Sequence, residues 1–206
     1  MRLPAGQRRS QLLAVARERF ATQGFHATSM DDIAEAAGVT KPVVYQHFPS
    51  KHALYAELLT DTSRRLLTTL EAATRGAGTG RTRVEEGFRA YFRFAAEDRS
   101  SFLLLLGADN RAEPDFARIV DGTLDACAAA VSTLIDLPAS AEQRLVLAHA
   151  LVGMAEAAPR SVLHAGDRTP DPDDLAAWIA ELAWFGLRGV RPGGIDERDR
   201  RPDPRR

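Results

Sequence analysis

The side chains best suited to specific chemistry lie close together in the first quarter of the 206-residue chain. They form a mixed set of cationic, amide, phenolic and small apolar groups: Lys41, Pro42, Val43, Tyr45, Gln46 and Lys51. Gln46 can pair with an adenine edge, Pro42 or Val43 can touch a thymine methyl group, and the others can reach guanine or phosphate oxygens. Such a mixture makes a poor core surface, but it suits contact with a nucleic-acid groove.

Capping and breaking residues predict two short helices, joined by a tight turn, that would position this set. Ser29 can cap a helix whose first turn carries Asp31 and Asp32, because negative charge suits the exposed amides at a helix N-terminus. The apolar residues of that helix then share one face: Met30, Ile33, Ala34 and Ala37. Gly38 is expected to end it, since glycine adopts a left-handed backbone conformation at little cost.

The second helix is predicted to be short. Thr40 can cap it, and Pro42 falls in its first turn, where a missing amide hydrogen does no harm. Pro49 disfavours helical geometry at Phe48, which leaves about two turns of ~3.6 residues each before Ser50 can cap the next helix.

The outer face of this second helix has two interpretations. Val44 and Phe48 lie four residues apart and point the same way, which leaves Lys41, Pro42, Tyr45 and Gln46 on the opposite face. Periodicity alone fits a solvated helical hairpin with ordinary surface residues equally well. The motif itself is more specific: the run AEAAGVTKPVVYQHFPSK, with its lead-in RERFATQGFHATSMDDIA, resembles the DNA-binding region of the TetR family of transcriptional regulators.

Carried over residue by residue, the resemblance implies a recognition helix from Lys41 to His47. It also implies a set of phosphate contacts: Thr28 or Ser29, Tyr45, His47 and Lys51. For the rest of the chain it implies a second helical domain that binds a small molecule, with a final pair of helices that forms a four-helix bundle with a second copy.

The charge of the chain is distributed unevenly, although its net value is only −1. Residues 1–65 contain nine Lys or Arg against six acids, a net charge of +3. The remainder contains 18 basic against 22 acidic residues, a net charge of −4. A mildly basic front and an acidic rear fit a nucleic-acid partner at one end only.

Cysteine usage and hydropathy indicate a cytoplasmic protein. Cys127 is the single cysteine, so no internal disulfide can form, and a reducing compartment is expected. Its place on an apolar helical pattern predicts a buried, inert thiol rather than a redox sensor. Apolar runs such as residues 102–106 fall far below the ~20 residues that span a bilayer, so we expect no membrane partner.

Helical periodicity continues along the remaining chain without strand-like alternation, so we predict an all-α fold. A first helix should run from Gln7 to Gly24, behind a loose arm of residues 1–6. Further helices are expected at residues 50–76, 84–95, 100–107, 116–135, 139–158 and 172–187. Pro159 should end or kink the helix before it. Residues 164–174 are predicted to form a loop, and residues 191–206 a disordered tail.

Aromatic residues in this second part could line an apolar ligand cavity: Phe88, Tyr91, Phe92, Phe102, Phe116, Trp178, Trp184 and Phe185. The first six are our candidates for direct contact with a ligand. His149 joins them, because it lies between Leu145 and Val152 on an apolar helix face and could hydrogen-bond a ligand there. Each aromatic residue taken singly is more often ordinary core, and His149 is more often a satisfied core histidine. The cavity interpretation therefore depends on the family resemblance, which implies an apolar or aromatic effector.

The helices expected at residues 139–158 and 172–187 carry more apolar surface than an edge position in a monomer needs. Gly153 lies inside the first of them, where glycine costs about 1 kcal/mol unless a close neighbour uses the space. Close packing against another helix would explain it. The residues alone do not separate a dimer contact from an internal core, whereas the resemblance implies a homodimer through these two helices.

Sequence support for catalysis, metal binding or a cofactor is missing. The five histidines are scattered without metal-ligand spacing, and no phosphate loop, nucleophile elbow or carboxylate pair can be pointed to. We therefore expect no enzymatic activity, no cofactor and no metal.

Together these observations predict two domains and a disordered tail: a three-helix helix-turn-helix head at residues 1–50, a larger helical effector-binding and dimerisation domain at 51–190, and the tail at 191–206. The predicted function is a ligand-responsive, sequence-specific repressor on a palindromic operator. The alternative is a helical small-molecule-binding or enzymatic protein whose front hairpin is only structural.

Overall fold

Apolar residues spaced three and four apart form helices along the whole described chain, as the sequence predicts. The computed structural model describes residues 4–163 and 170–190. Its α-helices, in chain order, are α1 (Ala5–Ala27), α2 (Met30–Ala36), α3 (Lys41–His47), α4 (Lys51–Arg75), α5 (Gly80–Glu97), α6 (Arg99–Leu106), α7 (Pro114–Ser132), α8 (Ala141–Leu163) and α9 (Pro172–Arg188). A short 3-10 helix, Ala108–Arg111, separates α6 from α7. The predicted all-α fold is confirmed.

Helices α1, α2 and α3 form a head whose buried apolar residues belong to the same continuous core as those of the second domain. Leu12 and Phe20 of α1 pack with Ile33 of α2 and Val44 of α3, all of them buried. Gly38 has a φ of 65° in the turn between α2 and α3, which is the left-handed conformation predicted for it. The head is thus held by apolar packing on one side of α3 only.

Helix α4 leaves the head and becomes the central helix of the second domain. Ser50 caps it by accepting from the amide of Ala53, as predicted. It packs against α5, α6 and α7 as well as α1, while α8 packs on α7 and α9 on α5. One continuous helix therefore belongs to both domains.

An aromatic cluster fills the junction between the head and the second domain. Phe116 of α7 lies 4.9 Å from Phe25 of α1 and 4.6 Å from Tyr55 of α4, measured between ring centroids. His52 stacks on the same Phe116 ring at 4.5 Å. Because the three elements share one buried ring, displacing α7 would disturb the head.

A carboxylate at the start of α6 joins this helix to α1 and α4. Asp98 accepts from Arg65 of α4 at 2.6 Å and lies 3.7 Å from Arg17 of α1. Burial would raise the pKa of Asp98, but hydrogen bonds from Ser101 and Arg65 hold it below its usual value. Its stabilising contribution is therefore present near neutral pH and is lost as the pH falls through that lowered pKa.

Four helices differ from the sequence prediction by two residues or more at one or both ends. Helix α5 begins at Gly80, four residues before the predicted start at residue 84. Helix α1 begins at Ala5, and its helical backbone is interrupted at Gly24, where φ is 82° and a last short turn follows. Helix α7 spans Pro114–Ser132, shifted from the predicted residues 116–135. Helix α8 continues through Pro159 to Leu163, so the predicted end near residue 158 is wrong. The predicted loop at 164–174 lies largely outside the described residues, and the tail beyond Val190 lies wholly outside them.

Candidate functional site

The start of α2 is fixed by reciprocal hydrogen bonds at Ser29. The Ser29 hydroxyl accepts from the Asp32 amide at 3.1 Å, and Asp32 Oδ2 accepts from the Ser29 amide at 2.7 Å. The Ser29 hydroxyl also donates to Asp32 Oδ2 at 2.7 Å, and this bond, followed by the one from the Ser29 amide, lowers the pKa of Asp32. The predicted N-cap is confirmed, and it holds the first turn of α2 with its amides facing outward.

Replacing Ser29 by alanine is expected to lower the free energy of unfolding by about 1 kcal/mol, because an N-cap acceptor is lost. Thermal unfolding followed by circular dichroism measures this. Thr40→Ala is the matched control, since Thr40 occupies the N-cap position of α3 without a side-chain capping bond. Equal losses in the two variants would show that the capping bonds of Ser29 contribute nothing.

Helix α3 presents two chemically different faces. Val44 and Phe48 point into the head and are 0% and 2% exposed. The opposite face carries Tyr45, which is 45% exposed, together with exposed Gln46 and Pro42. An exposed phenol beside an exposed amide, on a helix anchored by its apolar side, can enter a groove and contact base edges.

Three further predicted contact residues border this exposed face. Lys41 lies at the start of α3 and donates to Asp31 Oδ2 of α2 at 2.8 Å, and this hydrogen bond raises the pKa of Lys41. Val43 and His47 are half-buried at its edge. The ammonium group of Lys41 is therefore charged and positioned at the surface, with a carboxylate as its partner in the free protein.

Two of the predicted contact residues instead hold the head together. The Lys51 ammonium group donates to the carbonyl of Phe25 at 2.8 Å and lies 4.4 Å from the centroid of the Phe25 phenyl ring. Thr28 is 1% exposed and donates to the carbonyl of Gly24 at 2.8 Å. Of the predicted pair Thr28 or Ser29, only Ser29 is therefore exposed toward a partner. In both contacts the acceptor is a carbonyl group at or next to Gly24, where the helical backbone of α1 is interrupted. Sequence spacing does not show which carbonyl groups such an interruption leaves free to accept.

Comparison with known proteins agrees with this geometry. Residues 12–58 match a family model described as bacterial regulatory proteins of the tetR family. Residues 81–186, more than half of the chain, match a model described as the tetracyclin repressor-like C-terminal domain. The chain belongs to the TetR family.

Relatives and solved structures extend the match over both domains. The TetR-family chain is 37% identical over 191 residues to the HTH-type transcriptional activator FasR of Mycolicibacterium smegmatis, covering 92% of this chain and 87% of that protein. It is 30% identical over 208 residues to the uncharacterized HTH-type transcriptional regulator YdgC of Bacillus subtilis, covering 92% and 96%. A crystal structure of a TetR-like transcriptional regulator from Rhodococcus sp. RHA1 has a TM-score of 0.77 at 28% identity, covering 92% of this chain and 100% of that one. The chain is thus a helix-turn-helix transcriptional regulator.

The second domain contains a cavity of about 650 Å³ between α4, α5, the C-terminal end of α6, α7, α8 and α9. Two of the predicted ligand residues, Phe88 and Tyr91, line it. Phe92, Phe102, Phe116, His149 and Trp178 are not among its lining residues. Phe92, Phe102 and Phe116 are buried core residues, whereas His149 and Trp178 are exposed.

Trp184, which the sequence indicated as a possible lining residue but not among the ligand-contact candidates, also lines the cavity. It lies four residues from Ala180 and three from Leu187, both of which are buried against the rest of the domain. Trp178 lies on the other side of α9 and is 58% exposed. The position of each tryptophan relative to the buried alanines of α9 would therefore have identified the cavity-lining one. Being aromatic does not distinguish the two.

The cavity wall is apolar in its interior, and its charged lining residues come mostly from helix ends. Arg75 ends α4, Arg83 lies in the first turns of α5, and Arg188 ends α9. Cys127 also lines the cavity, and burial raises the pKa of its thiol to about 11. The thiol therefore stays protonated near neutral pH, in agreement with the predicted buried, unreactive cysteine.

A second apolar surface lies on the outside of the last two helices. Trp178, Leu182 and Phe185 of α9 are each more than half exposed, and Val146 of α8 is 64% exposed. A Cβ added at Gly153 would meet no described atom of the chain within 4 Å. Close packing within the chain therefore does not explain this glycine, and its position is open to another molecule.

Other site types were sought in the described part of the chain. Among its helices, none combines the length and apolar character needed to cross a bilayer. Within the same residues, His, Cys, Asp and Glu form no group of three or more that could hold a metal ion.

Proposed function

We propose that this TetR-family chain is a homodimeric, ligand-responsive repressor that binds a palindromic operator through α3. The observation that carries the proposal is the two-faced α3, with Val44 and Phe48 buried and Tyr45 and Gln46 exposed. Helix α3 would enter the major groove, while Ser29 at the start of α2 would contact the phosphate backbone. DNA as the partner agrees with the expected cytoplasmic location.

The exposed apolar surface of α8 and α9 is proposed as the dimer contact. Large apolar groups such as Leu182 and Phe185 lose unfavourable contact with water when a second copy covers them. Two-fold symmetry then requires an inverted-repeat operator whose half-sites lie about one helical turn, ~34 Å, or a multiple of it apart. The proposed division is a head at residues 1–50 and an effector-binding and dimerisation domain at 51–190.

The cavity is the proposed site of an apolar or aromatic effector. Helix α4 contributes to the cavity wall at its C-terminal half and packs against the head at its N-terminal half. An effector with higher affinity for one pose of α4 would change the separation of the two recognition helices. Transcription from a promoter carrying the operator should fall when the chain is present. A rise would instead assign it the positive control that the name of FasR carries.

Base recognition is tested by Gln46→Ala, with duplexes selected from random DNA. Loss of one amide contact should relax preference at a single base position by about tenfold, because a good base contact contributes about 1–3 kcal/mol of discrimination. Gln143→Ala, the same change on α8, should leave the preference unchanged. An unchanged base preference in Gln46→Ala would contradict the assigned role.

A salt titration distinguishes the proposed DNA-binding regulator from the rival function. The rival is a small-molecule-binding or enzymatic protein whose front hairpin is only structural. A protein that makes several phosphate contacts loses duplex affinity steeply as salt is added, because bound counterions are released. The proposal predicts a steep negative slope of log affinity against log salt concentration. Absence of duplex affinity at low salt would favour the rival.

A further inference from the structure

A buried hydrogen bond joins α4 to the segment that follows α6. The Tyr55 hydroxyl donates to Asn110 Oδ1 at 3.0 Å, and both side chains are 2% exposed. A polar pair excluded from water is geometrically demanding, because a displaced partner leaves a buried group unsatisfied. This contact, called the junction bond below, lies at the boundary between the head and the cavity domain.

Asn110 also completes the end of α6. Its amide nitrogen donates to the carbonyl of Leu104 at 2.7 Å and to that of Leu105 at 3.1 Å. The last carbonyls of a helix have no partner within the helix, so this amide substitutes for the missing turn. Asn110 therefore holds the C-terminus of α6 and the Tyr55 hydroxyl at the same time.

The same end of α6 forms part of the cavity wall. Leu105 and Leu106 line the cavity, directly beside the carbonyls that Asn110 binds. At its other end α6 is held to α4 and α1 through Asp98. A molecule that displaces Leu105 or Leu106 therefore moves the C-terminal end of α6. Asn110 is bound to that end and to Tyr55, so the displacement would change the position of the Tyr55 hydroxyl's partner.

Tyr55 in turn packs directly on the head. Its ring centroid lies 5.0 Å from that of Phe20 and 5.0 Å from that of Phe25, both on α1. Gly107 lies close by, since a Cβ added there would be 3.3 Å from the Tyr55 hydroxyl. The backbone after α6 thus approaches the hydroxyl more closely than most side chains would allow.

We propose that Asn110 is the positioning residue that couples cavity occupancy to the head, acting through its junction bond with Tyr55. The inference rests on the proposed effector role of the cavity. It assigns the coupling to one hydrogen bond and to the end of α6, whereas the proposed function requires only that α4 change its pose.

Cys127 allows the coupling to be tested without knowing the effector. It is the single cysteine of the sequence and lines the cavity. Reaction of the full chain with excess n-hexyl methanethiosulfonate would place an apolar chain in the cavity, because the Cys127 thiolate forms a mixed disulfide and releases methanesulfinate. Burial raises the pKa of this thiol to about 11, so only a small thiolate fraction reacts at about pH 9 and the reaction is continued until mass spectrometry shows one hexyl group per chain. A Cys127→Ser variant treated in the same way controls for other effects of the reagent.

Affinity for a duplex selected from random DNA is then measured with and without the hexyl group. The label should change the affinity of the parent chain by about fivefold or more, the lower range of typical couplings between sites. Tyr55→Phe keeps the ring but removes the hydroxyl, so its unlabelled affinity should stay near that of the parent and its response to the label should be lost. Ser100→Ala, which removes a different contact to the head at Glu18, should keep the response.

The possible outcomes separate the two proposals. A full response to the label in Tyr55→Phe, or an equal loss of response in Ser100→Ala, would contradict the proposed coupling through the junction bond. Neither result would contradict the proposed effector role of the cavity. A parent chain whose duplex affinity ignores the label would overturn both. Gly107→Ala provides a second variant in case Tyr55→Phe folds poorly, because it displaces the hydroxyl without removing it. A response as large as that of the parent in Gly107→Ala would also contradict the inference.

Discussion

Phe185→Asp is expected to separate the proposed dimer into single subunits and to lower affinity for a selected duplex by about 100-fold or more. The residue is 60% exposed on the outer face of α9, within the proposed dimer contact. A carboxylate there would have to be buried against apolar groups without a partner, which opposes association. Affinity then falls because a single head loses the gain of two linked half-sites, which commonly reaches about 10²–10⁴-fold.

Light scattering coupled to size exclusion gives the mass, and fluorescence anisotropy gives the affinity for the duplex. Ala72→Asp adds the same charge on an exposed position of α4 and should leave both unchanged. A Phe185→Asp chain that remains dimeric would remove α9 from the proposed contact. A monomeric chain with parental duplex affinity would remove the requirement for two half-sites.

Phe116→Ala is expected to lower the free energy of unfolding by about 3–5 kcal/mol, the range for truncating a well-packed phenylalanine. Phe116 is 0% exposed, and its ring contacts Phe25, His52 and Tyr55 at the junction of the two domains. Truncation removes apolar contacts and leaves a void between three elements, which can collapse only if the head shifts.

Urea unfolding followed by circular dichroism measures the loss. Phe88→Ala is the matched control, because Phe88 is buried but already borders the open cavity and should lose less. Equal losses in the two variants would show that Phe116 is not more tightly packed than a cavity-lining residue.

The head could be predicted closely because its signals are local. Ser29, Gly38 and Ser50 act within three or four residues of their own position, and all three have the predicted role. Pro49 likewise leaves Phe48 in an extended conformation, with φ −136° and ψ 119°. Caps and breakers of this kind depend on the neighbouring backbone alone, so sequence spacing is sufficient to place them.

The contacts of Lys51 and Thr28 could not be predicted from the sequence. The acceptor of Lys51 lies 26 residues away along the chain, and the acceptor of Thr28 is the carbonyl of Gly24, where the helical backbone of α1 is interrupted. Lys51 binds the carbonyl of Phe25, which the interruption at Gly24 turns toward α4. The prediction of the cavity-lining residues was incomplete for a similar reason. Which tryptophan of α9 faces inward depends on how α9 packs on α5, a long-range relation that aromatic type does not encode.

The outer surface of α8 and α9 illustrates what the structure adds. The sequence showed an excess of apolar residues in these helices without separating core from contact surface. The fold separates them, since Ala180 and Ala183 are buried while Leu182 and Phe185 remain uncovered by the described chain. Apolar side chains left exposed in a row identify the surface on which a second copy is expected.

Selection of duplexes from a random DNA pool by the full chain tests the central claim most directly, because neither the operator nor the effector has to be identified beforehand. The account predicts that the enriched sequences contain an inverted repeat and that two subunits bind each duplex. Failure to enrich any sequence, or enrichment of an asymmetric sequence bound by one subunit, would contradict it.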